Sequence, residues 1–206
     1  PNNSFLVASG DFDTVELVDG VEEFFGDWEG ADYREKAAIR ISNGSIYSDN
    51  LVINCVNSKV SKPLLAFTMP ELSNCDERSH TLDVISRIFA NGKKSRLYRR
   101  LFLEEKLVDQ VKTESFSGIF SGLSIVLINP REEKYLEKIV SIFLQEYRKL
   151  KRIDNNEIDD VKLELIHSHK YTFEYVKSLG FSLGVEELLG DYKEFYEYPK
   201  HLEVID

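Results

Sequence analysis

Cysteine is close to absent from this chain. Cys55 and Cys75 are the only two, too few for a disulfide framework or a zinc ribbon. Their spacing leaves open whether they pair and which redox compartment the chain works in. No apolar run approaches the ~20 residues that span a bilayer, which argues against a membrane-crossing helix and a membrane partner. Positive charge is in deficit: 26 Lys and Arg stand against 36 Asp and Glu, a formal net charge of −10. Nucleic-acid binders usually carry a basic surplus, so nucleic acid is not the expected partner. The helical zinc signature His-x-x-Glu-His and its inverse occur nowhere. Also missing are the Gly-x-Ser-x-Gly nucleophile elbow and the glycine patterns that cradle phosphates or dinucleotides. Neither cysteine has surroundings that would activate a thiolate. The sequence therefore nominates no catalytic, cofactor-binding or metal-ligating residue.

What is present is ordinary globular material. The 206 residues are 42% hydrophobic and 30% charged, and a chain of that length buries a sizeable core without staples. No internal repeat or low-complexity segment is evident, so residues 1–206 are expected to form one domain. Pro1 opens the chain without a Met and runs at once into apolar Phe5-Leu6-Val7-Ala8. Natural termini are more often polar and loosely held, and this start reads like a cut inside a longer protein.

Residues 4–9 read as a short buried strand. Asp13, with Glu16 three residues on, resembles a capping box and should open a helix to about Phe25, stopped by Gly26. Trp28 is a packing anchor. Strands are expected over 37–41, 51–56 and 63–69 from their β-branched and apolar content, with Asn43-Gly44 as a tight turn. A helix over 77–90 carries Leu82, Ile85 and Phe89 on one face. Asn91-Gly92 breaks it, and Ser95 caps a second, basic helix to about Leu103. Residues 108–117 and 119–128 suggest a hairpin hinged at Gly118. Two amphipathic helices follow, one marked by Leu136, Ile139, Val140, Phe143 and Tyr147, the next by Ile158, Val161 and Leu165. A weaker helical stretch punctuated by Gly180, Gly184 and Gly190 leads to a Tyr/Phe-rich tail. This order predicts an α+β fold, a two-layer sandwich of an antiparallel or mixed sheet with helices packed on one face.

The histidines offer little metal chemistry. His167 and His169 lie about 200° apart around a helix and face opposite ways. Glu164 and His167 share a face, but one carboxylate beside one imidazole is common on solvated helices. His169 continues the stripe of Leu165 and reads as a partly buried structural residue; His80, just inside a helix start, reads as a surface residue. The basic run Lys93-Lys94-Ser95-Arg96-Leu97-Tyr98-Arg99-Arg100 has the makings of an anion patch. It reads more simply as a solvated helix face with Leu97, Leu101 and Phe102 turned inward, partly neutralised by Glu104 and Glu105.

Four segments, in order over nearly the whole chain, resemble a known family. Residues 1–13, Pro-Asn-Asn-Ser-Phe-Leu-Val-Ala-Ser-Gly-Asp-Phe-Asp, are similar to the "pNN-x-L-x-x-x-GDxD" strand and turn of the insulinase-like zinc peptidases (M16, pitrilysin type). Glu23-Phe24-Phe25-Gly26-Asp27-Trp28 resembles the family's "YFGxW" helix end. Ser95-Arg96-Leu97-Tyr98-Arg99-Arg100-Leu101 with Glu104-Glu105-Lys106-Leu107 is similar to its "SSRLYxxLxEEKxL" helix. Asn156-Glu157-Ile158 stands where the family has "teeEL" opening a long helix.

The resemblance implies a half-protein of two similar α+β subdomains, two halves closing around a peptide. The zinc motif and its third Glu ligand would lie in the first subdomain, and this chain would be the second, non-zinc-binding one. Zinc is thus implied for the parent and no cofactor for this fragment. The implied partners are the zinc-bearing subdomain, the other M16 half and, in the parent, a peptide substrate. The non-zinc half often carries an Arg and a later Tyr that contact substrate; Phe102 and Asp109 occupy those positions here. Their absence resembles the rear of the zinc-bearing half, or of a degenerate half. Asn91-Gly92-Lys93-Lys94 also departs from the family's run of small residues. The expected role is a non-catalytic subdomain that walls the chamber of a zinc-dependent endopeptidase. The alternative is a domain of a catalytically degenerate homologue that assists assembly or processing.

Overall fold

The computed structural model describes residues 4–30, 63–72, 76, 78–116, 118 and 122–206. Its contacts group into two units, Pro1–Ser58 and Lys59–Asp206, each described by itself. The strands expected at 37–41 and 51–56, and both cysteines, lie outside the described residues.

In the first unit, helix α1 spans Thr14–Phe25. Asp13 caps it as the sequence suggests: its carboxylate accepts from the amides of Val15 at 2.8 Å and Glu16 at 3.0 Å, meeting donors that no helical carbonyl can reach. The Gly26 amide donates to the Glu22 carbonyl at 2.8 Å and closes the helix. Trp28 packs on Phe25, ring centroids 6.0 Å apart. Residues 4–9 are not the buried strand expected of them. They have no regular secondary structure, and Phe5, Leu6 and Val7 are exposed. A strand needs a neighbour for its amides and carbonyls, which composition alone does not supply.

The second unit is α+β. Strands β1 (Leu65–Glu71), β2 (Val108–Phe116) and β3 (Gly122–Pro130) form an antiparallel sheet in the order β1-β3-β2. Phe67 lies opposite Val126 and Leu65 opposite Ile128; Val111 and Thr113 face the same two residues from the other side. The hairpin's return strand is described from Gly122, with Phe116 opposite Leu123; its expected start at Ile119 lies outside the described residues. A β-bulge between Val108 and Gln110 accommodates Asp109.

Helix α2 (Ser79–Phe89) ends at Ala90, and Gly92, at φ +102°, turns the chain in a conformation that favours glycine. The next helix opens under Ser95, whose hydroxyl accepts from the Tyr98 amide at 3.3 Å, and becomes π-helical over Tyr98–Glu104. It ends with Lys106 at φ 53° in the left-handed position and the Leu107 amide on the Leu101 carbonyl at 2.9 Å, one residue wider than a Schellman closure because the last turns are π-helical. Leu101 and Leu107 then enter one core with Leu97, Val108, Val126, Ile128 and, from α3 (Leu136–Lys149), Ile139, Ile142 and Phe143. Phe143 stacks on Phe67 at 3.7 Å. That core joins the sheet to the helices on one face, the two layers expected. A second core lies among helices: Val84 and Ile88 of α2, Val161 of α4 (Asn155–Thr172) and Leu202 of α6 (Lys193–Glu203). Helix α5 (Val176–Leu189) runs between the last two and ends at Gly190.

Candidate functional site

Ionisable side chains from α2, α4, α5 and α6 meet around one pocket of the second unit. Glu194, Tyr198 and His201 are four and three residues apart, so they share one face of α6. His80 and Asp83 do the same on α2. The Tyr198 hydroxyl donates to Asp83 Oδ2 at 3.2 Å, and burial, with Asp83 second, pushes its pKa well above the ordinary tyrosine range. The His80 ring lies flat on that of His201, centroids 4.6 Å apart and planes 9° apart, and edge-on to Tyr198 at 5.5 Å. Burial, then the neighbouring His201, holds His80 below the ordinary histidine pKa, with Glu194 opposing. His201 Nε2 is 3.3 Å from Glu194 Oε2. From α4, His169 leans on Phe195 at 4.4 Å and on Tyr198 at 5.4 Å, and burial lowers its pKa too. These side chains line a pocket of about 270 Å³, shared by His80, Asp83, His169, Glu186, Glu194 and Tyr198.

His169 is thus the partly buried aromatic partner expected. His80 is not the surface residue its place near a helix start suggests: it is half-buried, because α6 returns across the start of α2. Sequence spacing carries one sign of this junction, the Glu194-Tyr198-His201 stripe; the meeting of α2 with α6 spans more than a hundred residues and leaves no local pattern.

The other sequence candidates have structural uses. Glu164 turns from His167 to pair with Arg87 of α2, while His167 is exposed. Within the basic run, Arg96 turns in and its guanidinium forks onto the Glu157 carboxylate, and Arg100 pairs with Glu104 and Glu105. Leu97 and Leu101 are fully buried, and Phe102 stacks on Tyr98 at 4.8 Å. Lys93, Lys94 and Arg99 stay exposed, as a solvated helix face requires. Asp109 sits in the bulge, 3.4 Å from Arg131 Nε. Among the described residues no group of three or more His, Cys, Asp or Glu side chains is arranged to hold a metal ion, and no described helix is long and apolar enough to cross a membrane.

Comparison with known proteins gives this architecture a context. Residues 1–165 match the family model of the peptidase M16 inactive domain. No curated protein sequence matches the chain. Among solved structures, a protease from Helicobacter pylori superposes with a TM-score of 0.75 at 15% identity, over 96% of this chain and 48% of its own. An inactive peptidase domain from Bordetella parapertussis gives 0.61 at 16% identity, over 73% and 84%. The periplasmic protease PqqL from Escherichia coli gives 0.69 at 12% identity, over 96% and 22%. The chain thus spans about half the length of the Helicobacter pylori protein, and at these identities the likeness is one of fold.

Proposed function

The chain belongs to the M16 peptidase family, as a match to its inactive domain, and on that premise we propose that it is a non-catalytic subdomain that helps wall the substrate chamber of a zinc-dependent endopeptidase. Residues 1–206 act as one subdomain of a longer protein. Its partners are the zinc-bearing subdomain, the other M16 half and the peptide enclosed between the halves. The observation that carries this reading is the family match to an inactive domain over residues 1–165.

Zinc does not fit the residues described here. A hydrolytic zinc site takes three protein ligands and keeps one position open, whereas Glu164, the carboxylate nearest a histidine on α4, is engaged by Arg87. No chemical step is therefore assigned to this chain. Activation of water, with a Glu of the zinc motif as general base, belongs to the other subdomain.

The test is reconstitution. Peptide cleavage should appear when the chain is combined with the zinc-bearing subdomain, vanish with chelator, and be absent from either piece alone. Metal analysis of the purified chain should find no stoichiometric zinc. Chelator-sensitive cleavage by this chain alone would refute the reading. A parent protein that folds, assembles and never cleaves would support the alternative, a degenerate homologue in an assembly or processing role.

A further inference from the structure

His80 of α2 and His169 of α4 meet Tyr198 of α6, and His201 lies three residues further along the same helix. His80 and His201 stack face to face at 4.6 Å, so the stack is itself a contact between α2 and α6. Helix α6 depends on such contacts. Pro199 lies inside it and has no amide to give the Phe195 carbonyl, and an eleven-residue helix is marginal without tertiary support. The helix is also tied down by the buried Leu202 and Phe195, the latter against His169, by the Tyr198–Asp83 hydrogen bond, and by Lys162 Nζ, which donates to the carbonyls of Glu203 at 3.0 Å and Ile205 at 2.6 Å.

We propose that the His80–His201 stack is a proton-operated clasp: it holds α6 on α2 while at least one ring is neutral, and loosens α6 when both are protonated.

His201 Nε2 faces Glu194 Oε2 at 3.3 Å. A proton on each ring sets two like charges face to face in a half-buried site, where they are poorly screened. The surroundings of His80 moderate this without cancelling it. On α2, Asp83 accepts from Tyr198, and Arg87 is paired with Glu164 of α4. His169 of α4, Glu186 of α5, and Glu194 and Tyr198 of α6 complete the ring of groups around the pocket. The carboxylates favour protonation, yet burial prevails at His80. A base whose pKa is lowered in the docked state binds fewer protons there than when released. Docking is therefore at full strength above the ordinary histidine value of about 6.5 and weakens as pH falls through the lowered one.

Amide hydrogen exchange on the 206-residue chain, converted to protection factors at each pH, tests the clasp. Between about pH 7.5 and about pH 5, protection of α6 should fall severalfold relative to α3, which belongs to the sheet core. His80→Phe keeps a flat ring and removes the charge, so it should abolish the fall. His201→Gln, at a more exposed position, should abolish it as well and covers the case where the first variant fails to fold. Side-chain NMR should find His80 titrating below the ordinary histidine value. An α6 protection that does not change with pH, or that falls equally in both variants, overturns the proposal. So does a fall that survives both and disappears only in His169→Phe.

Discussion

Arg96 is the residue whose loss the structure predicts most sharply. It stands in the first turn after Ser95, yet its guanidinium reaches the start of α4. There Nε donates to Glu157 Oε1 at 3.0 Å and a second nitrogen donates to Oε2. The same group donates to the Lys149 carbonyl at 3.2 Å and the Arg152 carbonyl at 3.5 Å. One side chain thus fastens the connection between α3 and α4 to the basic helix. The two side chains are only 13% and 25% exposed, which decides the magnitude. An exposed ion pair contributes about 0–1 kcal/mol, and stranding one partner of a fully buried pair costs about 3–5 kcal/mol. This pair lies between those limits, nearer the buried one. The positive end of the α4 dipole steadies Glu157 when it is left alone, and the Arg152 amide still serves the Lys149 carbonyl at 2.9 Å. Arg96→Ala should therefore cost about 2–3 kcal/mol. Arg96→Lys, a point charge without the fork, should recover only part of it. Urea unfolding followed by circular dichroism should show a lower midpoint at unchanged slope. The double-mutant cycle with Glu157→Ala should give a coupling of about 1.5 kcal/mol or more. A single-mutant loss under about 0.5 kcal/mol, or a coupling near zero, would refute the reasoning. So would a loss that vanishes in about 1 M salt, because only an exposed pair is screened so completely.

Three further perturbations follow from other parts of the second unit. Thr113 Oγ1 is buried on the core side of β2 with no hydrogen-bond partner, so the isosteric Thr113→Val should raise stability by about 1 kcal/mol; a destabilised variant in the same urea assay counts against that account. Lys106 holds a left-handed φ of 53°, so Lys106→Gly should be neutral to about 1 kcal/mol stabilising, while β-branched Lys106→Val should cost about 1–2 kcal/mol. Equal midpoints for the two would show that the closure of the helix tolerates any residue. The Asp76 carboxylate accepts from the Arg78 side chain at 3.0 and 2.8 Å and from its amide at 2.9 Å, which holds its pKa at about 2. In Arg78→Ala the side-chain bonds go and the amide stays, so a carboxyl NMR titration should find the pKa higher but still below the ordinary aspartate value; an unmoved titration would deny the side chain its part.

The elements written in local chemistry were legible in advance. Asp13 and Gly26 bound α1 to the residue expected, Ser95 caps the basic helix, and Ile139, Phe143 and Val161 are buried as their spacing requires. Elements that depend on a distant partner were less so. The apolar run of Phe5, Leu6 and Val7 reads as a strand by composition, but composition supplies no neighbour for its backbone. His80 was misread for the same reason: its exposure is decided by α6, more than a hundred residues away.

The residues that carry the family resemblance and are described here turn out to be architectural. Asp13 caps a helix and Gly26 ends one. Arg96 fastens the α3–α4 connection to the basic helix, and Leu97 and Leu101 are fully buried. Glu105 is bound by Lys138 at 2.6 Å, Lys106 turns the chain, and Leu107 closes the helix onto Leu101. Even the two positions where the family's substrate-binding Arg and Tyr are missing have local work, Phe102 against Tyr98 and Asp109 beside Arg131. A motif made of caps, closures and core contacts points to a fold because those residues help hold the fold together. It says nothing about which bonds the parent protein breaks. That is why the family could be read from these residues while no catalytic residue could, and why reconstitution with the proposed zinc-bearing subdomain, rather than mutagenesis of the motif, is the experiment that bears on activity.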